Sequence, residues 1–263
     1  MKVSAVSDFL AFWTLVNTYA RLKLKSEALK TYLSYLWWLL EPALFVAAFY
    51  VAFAIILDFR TADFVVFLVC GKIPYLWFSK SVGGAAGSII AGRELLTNAN
   101  IRPQLFPMVD YFQNMYKQIV AFVAMLLFLL TQAHYPDWHW LLLPIVALTQ
   151  MAIMMPFVLG AAWITALIPD VRMLINIFVL IMMFLSGIFW DVNELPTPVR
   201  EQVMTYNPLA FLIDAYRQIL LHQSMPDWLH LGSLFLIGVL LSMLMFALYR
   251  FSRFYLSTKV LYS

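Results

Sequence analysis

Three lysines stand inside stretches otherwise fit for hydrocarbon: Lys72, Lys80 and Lys117. An ammonium group at membrane depth is costly and marks a functional position by default. Lys72 and Lys80 are eight residues apart, so on one helix they project within about 80° of each other. Lys117, on the next stretch, reaches the depth of Lys80 if the two stretches run antiparallel. With the nearby aromatic residues Tyr75, Trp77 and Phe78, these lysines could line a path for anionic or hydroxyl-rich cargo. Sugar rings pack their apolar faces on aromatic rings while their hydroxyls reach polar groups. The alternative is that the ammonium groups snorkel to the interface or pair with Glu41 or Asp110. Other chemistry is sparse. His134, His139, His222 and His230 fall in two loops with no helical metal-binding spacing, and no Ser/His/Asp set can be assembled. No glycine-rich loop ends in Gly-Lys-Ser/Thr, so the chain cannot cradle ATP in that way. Cys70 is the single cysteine, which excludes an internal disulfide and argues against a cysteine-rich metal site. The expectation is a non-catalytic chain that binds no metal or cofactor itself and no nucleic acid.

The elements that must position these residues are membrane helices. Of the 263 residues, 63% are hydrophobic and 12% charged, against about 45–50% and about 25% in water-soluble domains. Six apolar stretches, at about 33–57, 64–90, 108–131, 140–167, 173–190 and 229–249, are each read as crossing the roughly 30 Å hydrocarbon layer. The fold class expected is an all-α membrane protein of six spans in a single domain. Residues 1–30 form an amphipathic segment and residues 31–263 the six-helix part. No cleavable signal peptide is visible.

Charge sets the orientation. With both termini in the cytoplasm, the inner segments carry Lys2, Arg21, Lys23, Lys25, Lys30, Arg93, Arg102, Arg172, Arg250, Arg253 and Lys259. The outer segments carry only Arg60, Arg200 and Arg217. An excess of Lys and Arg on one side marks the cytoplasmic face. Pro136-Asp137-Trp138 and Pro226-Asp227-Trp228 each precede a stretch. In both, Asp suits a helix start and Trp the interface.

Three segments lie outside the spans. Residues 4–22 place Val6, Phe9, Leu10, Trp13, Val16 and Ala20 on one helical stripe, the pattern of a helix lying in the interface. It reads as a surface helix that touches a cytoplasmic partner, or as a plain anchor. The inner loop 91–107 can form a short helix from Arg93 to Asn98, after which Pro103 and Pro107 redirect the chain. It is either a connector or a knob that docks into a motor protein. The outer segment 191–228 carries Pro196, Pro198, Pro208 and Pro226, with helical character at 199–206 and 209–221. It reads as a re-entrant hairpin or as an extracellular cap. Backbone of the first kind survives at membrane depth only when buried in protein or lining a water-filled path.

The ordered motifs resemble a known family, the transmembrane subunits of type-2 ABC exporters that move polysaccharides such as O-antigen, capsule and teichoic acid. YLSYLWWLLEPAL (Tyr32 to Leu44) is similar to the family's Leu-Gly-x-Leu-Trp…Pro lead-in to the first span. GKIPYLWFSKSV (Gly71 to Val82) is similar to its Gly-x-x-Pro-Trp-x-Phe-Phe segment. IPDVRMLI (Ile168 to Ile175) is similar to its Arg-Asp inner loop. FLSGIFW followed by YNPLAFLIDAYRQILL (Tyr206 to Leu221) resembles its closing hairpin. Ser34, Pro169 and Lys80 depart from the pattern, standing where the family usually has Gly, Arg and an uncharged residue.

The resemblance implies a permease in the bacterial inner membrane that forms a homodimer and carries two ATP-binding cassette subunits. Those partners would hold ATP and Mg. The cargo implied is a polysaccharide on a lipid-linked pyrophosphate, O-antigen before capsule or teichoic acid, with membrane lipids around it. Coupling to the ATPase would fall to Arg93, Glu94, Leu95, Leu96 and Asn98. Gating would fall to Trp190, Pro196, Pro198, Asn207, Pro208 and Arg217. A membrane enzyme acting on lipid-linked sugars is the different-class alternative.

Overall fold

The computed structural model describes residues 5–30, 32, 34–56, 64–98 and 101–262, and among them there is no strand. Among the described residues four helices are long and apolar enough to cross a membrane: α3 (Phe64–Ala86), α6 (Leu105–Thr131), α7 (Leu143–Leu167, preceded by a 3-10 turn from Trp138) and α11 (Trp228–Tyr262). The first and fifth apolar stretches form shorter helices. They are α2 (Trp37–Tyr50), continued by a π-helical turn over Val51–Ile56, and α8 (Val171–Leu185). The N-terminal α1 runs Ala5–Leu29, beyond the stretch expected from its stripe. Short helices α4 (Ser88–Ala91) and α5 (Arg93–Asn98) link α3 to α6. Helices α9 (Thr197–Tyr206) and α10 (Pro208–Leu220) fill the segment before α11.

Local chemistry sets the boundaries. Asp227 accepts from the backbone N–H of Leu229 and His230 and so opens α11. Asp137 caps the turn before α7 by accepting from His139 N–H. Both are cap roles expected of Asp at a helix start. Asn207 accepts from Leu209 and Ala210 at the head of α10, with Pro208 at the first helical position. Pro103 sits in a turn, but Pro107 does not interrupt the chain as expected. Helix α6 opens at Leu105 and takes Pro107 into its first turn, where a missing N–H costs no intrahelical bond.

Helix α3 is the hub, in contact with α2, α6, α7, α8 and α10. Every residue from Leu68 to Phe78 is buried, the mark of a helix surrounded on all sides. By contrast α6, α7 and α11 keep open apolar faces, for example at Leu127, Leu148 and Leu236. Such faces suit lipid, which is as apolar as they are. α1 lies along α6, with Val16 and Ala20 of its stripe buried and Trp13 edge-on to Phe112 at 5.7 Å. Phe9 and Leu10 of the same stripe are exposed.

α7 and α11 pair most extensively. Tyr249 donates to Leu159 C=O at 2.9 Å, and Trp163 donates to the Ser252 hydroxyl at 3.0 Å. At Gly238 the two backbones nearly touch: a Cβ there would lie 2.6 Å from Ala152 C and 2.7 Å from its O. At Gly232 a Cβ would meet nothing within 4 Å. Gly238→Ala should therefore force the helices apart and cost about 1–3 kcal/mol. Gly232→Ala should be neutral or stabilising by up to about 1 kcal/mol. Thermal unfolding of the two variants in one detergent checks the contrast; equal melting temperatures would refute the close approach.

Candidate functional site

Helix α3 runs unbroken through Pro74 at its middle, which supplies no N–H to the C=O of Cys70 one turn earlier. Two glutamines on neighbouring helices reach carbonyls of α3 at this level. Gln118 of α6 donates to Ile73 C=O at 3.1 Å, and Gln150 of α7 donates to Pro74 C=O at 2.8 Å. The Gln150 carboxamide oxygen in turn accepts from Tyr216 of α10 at 2.9 Å. A buried chain of hydrogen bonds thus ties α3, α6, α7 and α10 at one level.

A break follows α8. Gly187 takes φ +71°, a region that favours glycine, and the chain leaves the helix. Four carbonyls around this bend receive side-chain donors. Trp190 Nε1 reaches Phe184 C=O at 2.8 Å and Asn207 Nδ2 reaches Leu185 C=O at 3.0 Å. Arg217 reaches Gly187 C=O at 2.6 Å and Ile188 C=O at 3.0 Å, and also Phe67 C=O of α3 at 3.2 Å. Its guanidinium carbon stacks 3.3 Å from the centre of the Phe67 ring. Gly71 leaves the room: a Cβ there would lie 2.6 Å from Arg217 Nη2. Trp190, Asn207, Pro208 and Arg217 therefore meet around one bend. Pro196 and Pro198 stand apart on the exposed start of α9. Asp214 accepts from Asn193 at 3.0 Å and Gln218 at 2.5 Å, which pins the outer loop to buried α10.

The lysines part company. Lys72 is 3% exposed and turns toward α2 and α8. Its Nζ is 2.9 Å from Met183 Sδ, 4.6 Å from the Phe45 ring centre, and 5.6 and 5.7 Å from those of Tyr75 and Phe49. This is a cation enclosed by ring faces, an arrangement stronger when desolvated. Tyr75 donates to Val179 C=O of α8. Lys80 and Lys117 share a small crevice between α2, α3 and α6, with Trp77 and Trp38 in its walls. Lys80 pairs with Glu41 at 2.5 Å, and Lys117 with Glu27 of α1 at 2.6 Å. Asp110 pairs with Lys23 of α1 instead. Phe78 faces α7, edge-on to Phe157 at 5.8 Å.

At the end of the bundle that carries the basic segments, α5 presents Glu94 and Leu95 to solvent and turns Leu96 to the core. Arg93 opens the helix. Asn98 ends it, and its side chain lies outside the described residues. Helix α5 packs on α4 and α11. Gly92 before it lies under the Phe106 ring, where a Cβ would come within 2.2 Å. Among the described residues no group of three or more His, Cys, Asp or Glu could hold a metal ion.

The sequence pointed to Asn207 and Arg217 but not to Gln118, Gln150, Tyr216 or Gly71. No signal in the sequence marked the glutamines, since the carbonyl that Pro74 leaves open is that of Cys70 and not the two they reach.

The described residues thus form an all-helical bundle with helices of membrane-crossing length and a buried polar spine. Residues 111–221, from α6 through the end of α10, match the ABC-2 type transporter family. The O-antigen export system permease protein RfbA of Myxococcus xanthus is 24% identical over 91% of this chain and 92% of its own length. Two Klebsiella pneumoniae proteins of the same name are each 20% identical, over 83% and 82% of this chain and 84% and 83% of theirs. The resemblance to the membrane subunits of type-2 ABC exporters is thereby shown. A permease of this class resides in a membrane and works with an ATP-binding cassette partner.

Arg217→Lys should remove the planar fork that spans three carbonyls and cost about 3 kcal/mol or more. Gly71→Ala should cost about 1–3 kcal/mol by crowding the guanidinium. In the Arg217→Lys background the added methyl should cost less, because the crowded group is gone. Unfolding of the two single variants and the double variant tests the coupling; strict additivity would refute it.

Proposed function

We propose that this chain is the membrane-spanning subunit of an ATP-driven exporter that moves a lipid-linked polysaccharide, with O-antigen as the cargo, from cytoplasm to periplasm. It acts as a homodimer bearing two ATP-binding cassette subunits, which hold the ATP and Mg. The observation that carries this reading is similarity over nine-tenths of the chain to a permease named for O-antigen export.

The six-span reading has physical support. Helix α2 with its flanking turns covers residues 34–56, about 34 Å at roughly 1.5 Å per residue. Helix α8 has 15 residues, about 22 Å, short of a roughly 30 Å core. The bend beyond it, held by Arg217 and Asn207, completes the crossing. In this reading α9 and α10 are the outer gate hairpin, α5 is the coupling helix and α1 the interface helix. Residues 1–30 are a segment added to a single transmembrane domain. Lys80 lines the export path and meets the carrier's pyrophosphate, while Lys72 and Lys117 fix the helices beside it.

Deleting the gene should abolish surface glycan and trap lipid-linked glycan inside the cell; unchanged surface glycan would sink the reading. Lys80→Met should leave expression and assembly intact yet lower surface glycan per folded complex by about fivefold or more, the equivalent of ~1 kcal/mol in the transport barrier. Lys80→Glu should be worse. The exchanged pair Lys80→Glu with Glu41→Lys restores attraction between the two positions but leaves an anion facing the cargo. If it also restores export, Lys80 serves only its ion pair.

Topology is open to labelling. In a Cys70→Ala background, Glu94→Cys should react with an impermeant thiol reagent only from the cytoplasmic side and Pro198→Cys only from the periplasmic side. Cys70 itself is buried, so the parent protein should stay unlabelled. Reaction of both new cysteines from one side would overturn the orientation.

A further inference from the structure

A cavity of about 550 Å³ opens where α1, the 101–104 turn and the far end of α11 converge. Three guanidinium groups line it: Arg102 from the turn, Arg250 and Arg253 from α11. Arg102 also lies 5.7 Å from the Phe12 ring centre of α1. Gln104 joins them, and its buried carboxamide oxygen has no hydrogen-bond partner among the described residues. Phe9, Phe246 and Phe254 supply the apolar wall.

The depth of the cavity is set by α11. From Trp228 to Arg250 is 22 residues, about 33 Å of helix, one hydrocarbon thickness. With Trp228 at one interface, Arg250 and Arg253 stand in the headgroup layer of the other. Arginine suits phosphate because its planar fork gives paired hydrogen bonds to two oxygens. An unpartnered carboxamide oxygen calls for a donor beside the phosphate. The exposed Phe254 and Phe9 lie where acyl chains run.

We propose that this cavity binds the headgroup of one membrane glycerophospholipid, its phosphate on Arg102, Arg250 and Arg253 and a headgroup hydroxyl or ammonium on Gln104. The bound lipid joins α1 and the segment after α5 to the end of α11. The site needs only a membrane and does not depend on the identity of the cargo, and it is separate from Lys72, Lys80 and Lys117.

The test uses the purified full-length chain in mixed micelles of equal phosphatidylglycerol and phosphatidylcholine, with retained lipid counted by native mass spectrometry. The wild type should keep one phosphatidylglycerol through a stringent wash. Arg250→Gln should weaken retention about fivefold, and Arg102→Gln with Arg250→Gln and Arg253→Gln together by about a hundredfold. The matched control, Lys25→Gln with Lys30→Gln and Lys259→Gln, removes equal charge elsewhere on the same end and should retain the lipid. If the triple variant fails to fold, the single Arg250→Gln, on an exposed side chain, still decides. Equal retention by wild type and Arg250→Gln, or loss in the control as well, would overturn the proposal. Displacement of the lipid by millimolar inorganic phosphate would also overturn it, by marking a site for free phosphate.

Discussion

Backbone carbonyls turned away from their helices, with no water to receive them, are the constraint on which this structure rests. In hydrocarbon every backbone polar group must be satisfied from within the protein, and an unpaired one costs about 1–3 kcal/mol. The bend at Gly187 after α8 creates such groups, and Trp190, Asn207 and Arg217 meet them. At the level of Pro74 in α3, Gln118 and Gln150 add donors to the Ile73 and Pro74 carbonyls. Gln118, Gln150 and Arg217 come from α6, α7 and α10, so these contacts also specify which helices must be neighbours. The packing of α3 against α6, α7, α8 and α10 follows from this need as much as from apolar contact, which supplies little drive between helices in lipid.

The buried cations obey the same rule with different partners. Lys80 and Lys117 find carboxylates on α2 and α1 and keep partial access to solvent. Lys72 is sealed among Phe45, Phe49 and Tyr75 with Met183 sulfur beside it. Ring faces attract an ammonium without demanding a fixed direction, so this contact tolerates relative movement of α2, α3 and α8 better than a directed hydrogen bond would. Arg217 is the opposite case. Its fork bonds three carbonyls in fixed directions and leaves the α8 bend little freedom relative to α10.

Much of the helix layout was legible, because prolines and capping residues punctuate it. Helices α9 and α10 sit within two residues of the limits set by Pro198, Asn207 and Pro208, and Asp137 and Asp227 cap as their positions implied. Pro107 misled, since the sequence does not say whether a proline precedes a helix or occupies its first turn. Partners were less legible. Of the two carboxylates offered to the three lysines together, Glu41 goes to Lys80, but Asp110 goes to Lys23, and Lys117 goes to Glu27 of a helix 90 residues earlier. The rings around Lys72 come from α2 and from α3 itself, with the Met183 sulfur from α8, and no local pattern announces the set. The glutamine donors escaped notice because a glutamine in an apolar stretch looks the same whether it faces a carbonyl or a polar path.

The short helices below α3 show how movement at one end of the bundle could reach the other in the proposed exporter. Gly87 and Gly92 bracket α4, and both are crowded: Gly87 by the Arg172 guanidinium, where a Cβ would lie 3.0 Å from its central carbon, and Gly92 by the Phe106 ring. Crowded glycines serve close packing here, so α4 moves with the start of α6 and does not hinge freely beneath it. A push on α5 therefore has two stiff routes, one through α4 to the hub α3 and one through its contact with α11. The α3 route leads directly to Gly71 and the Arg217 fork, about four turns further up the same helix at roughly 3.6 residues per turn. Such a displacement reaches the α8 bend as a directional strain on three hydrogen bonds, and Pro74, one turn short of Gly71 on that route, leaves α3 one backbone bond fewer to resist it.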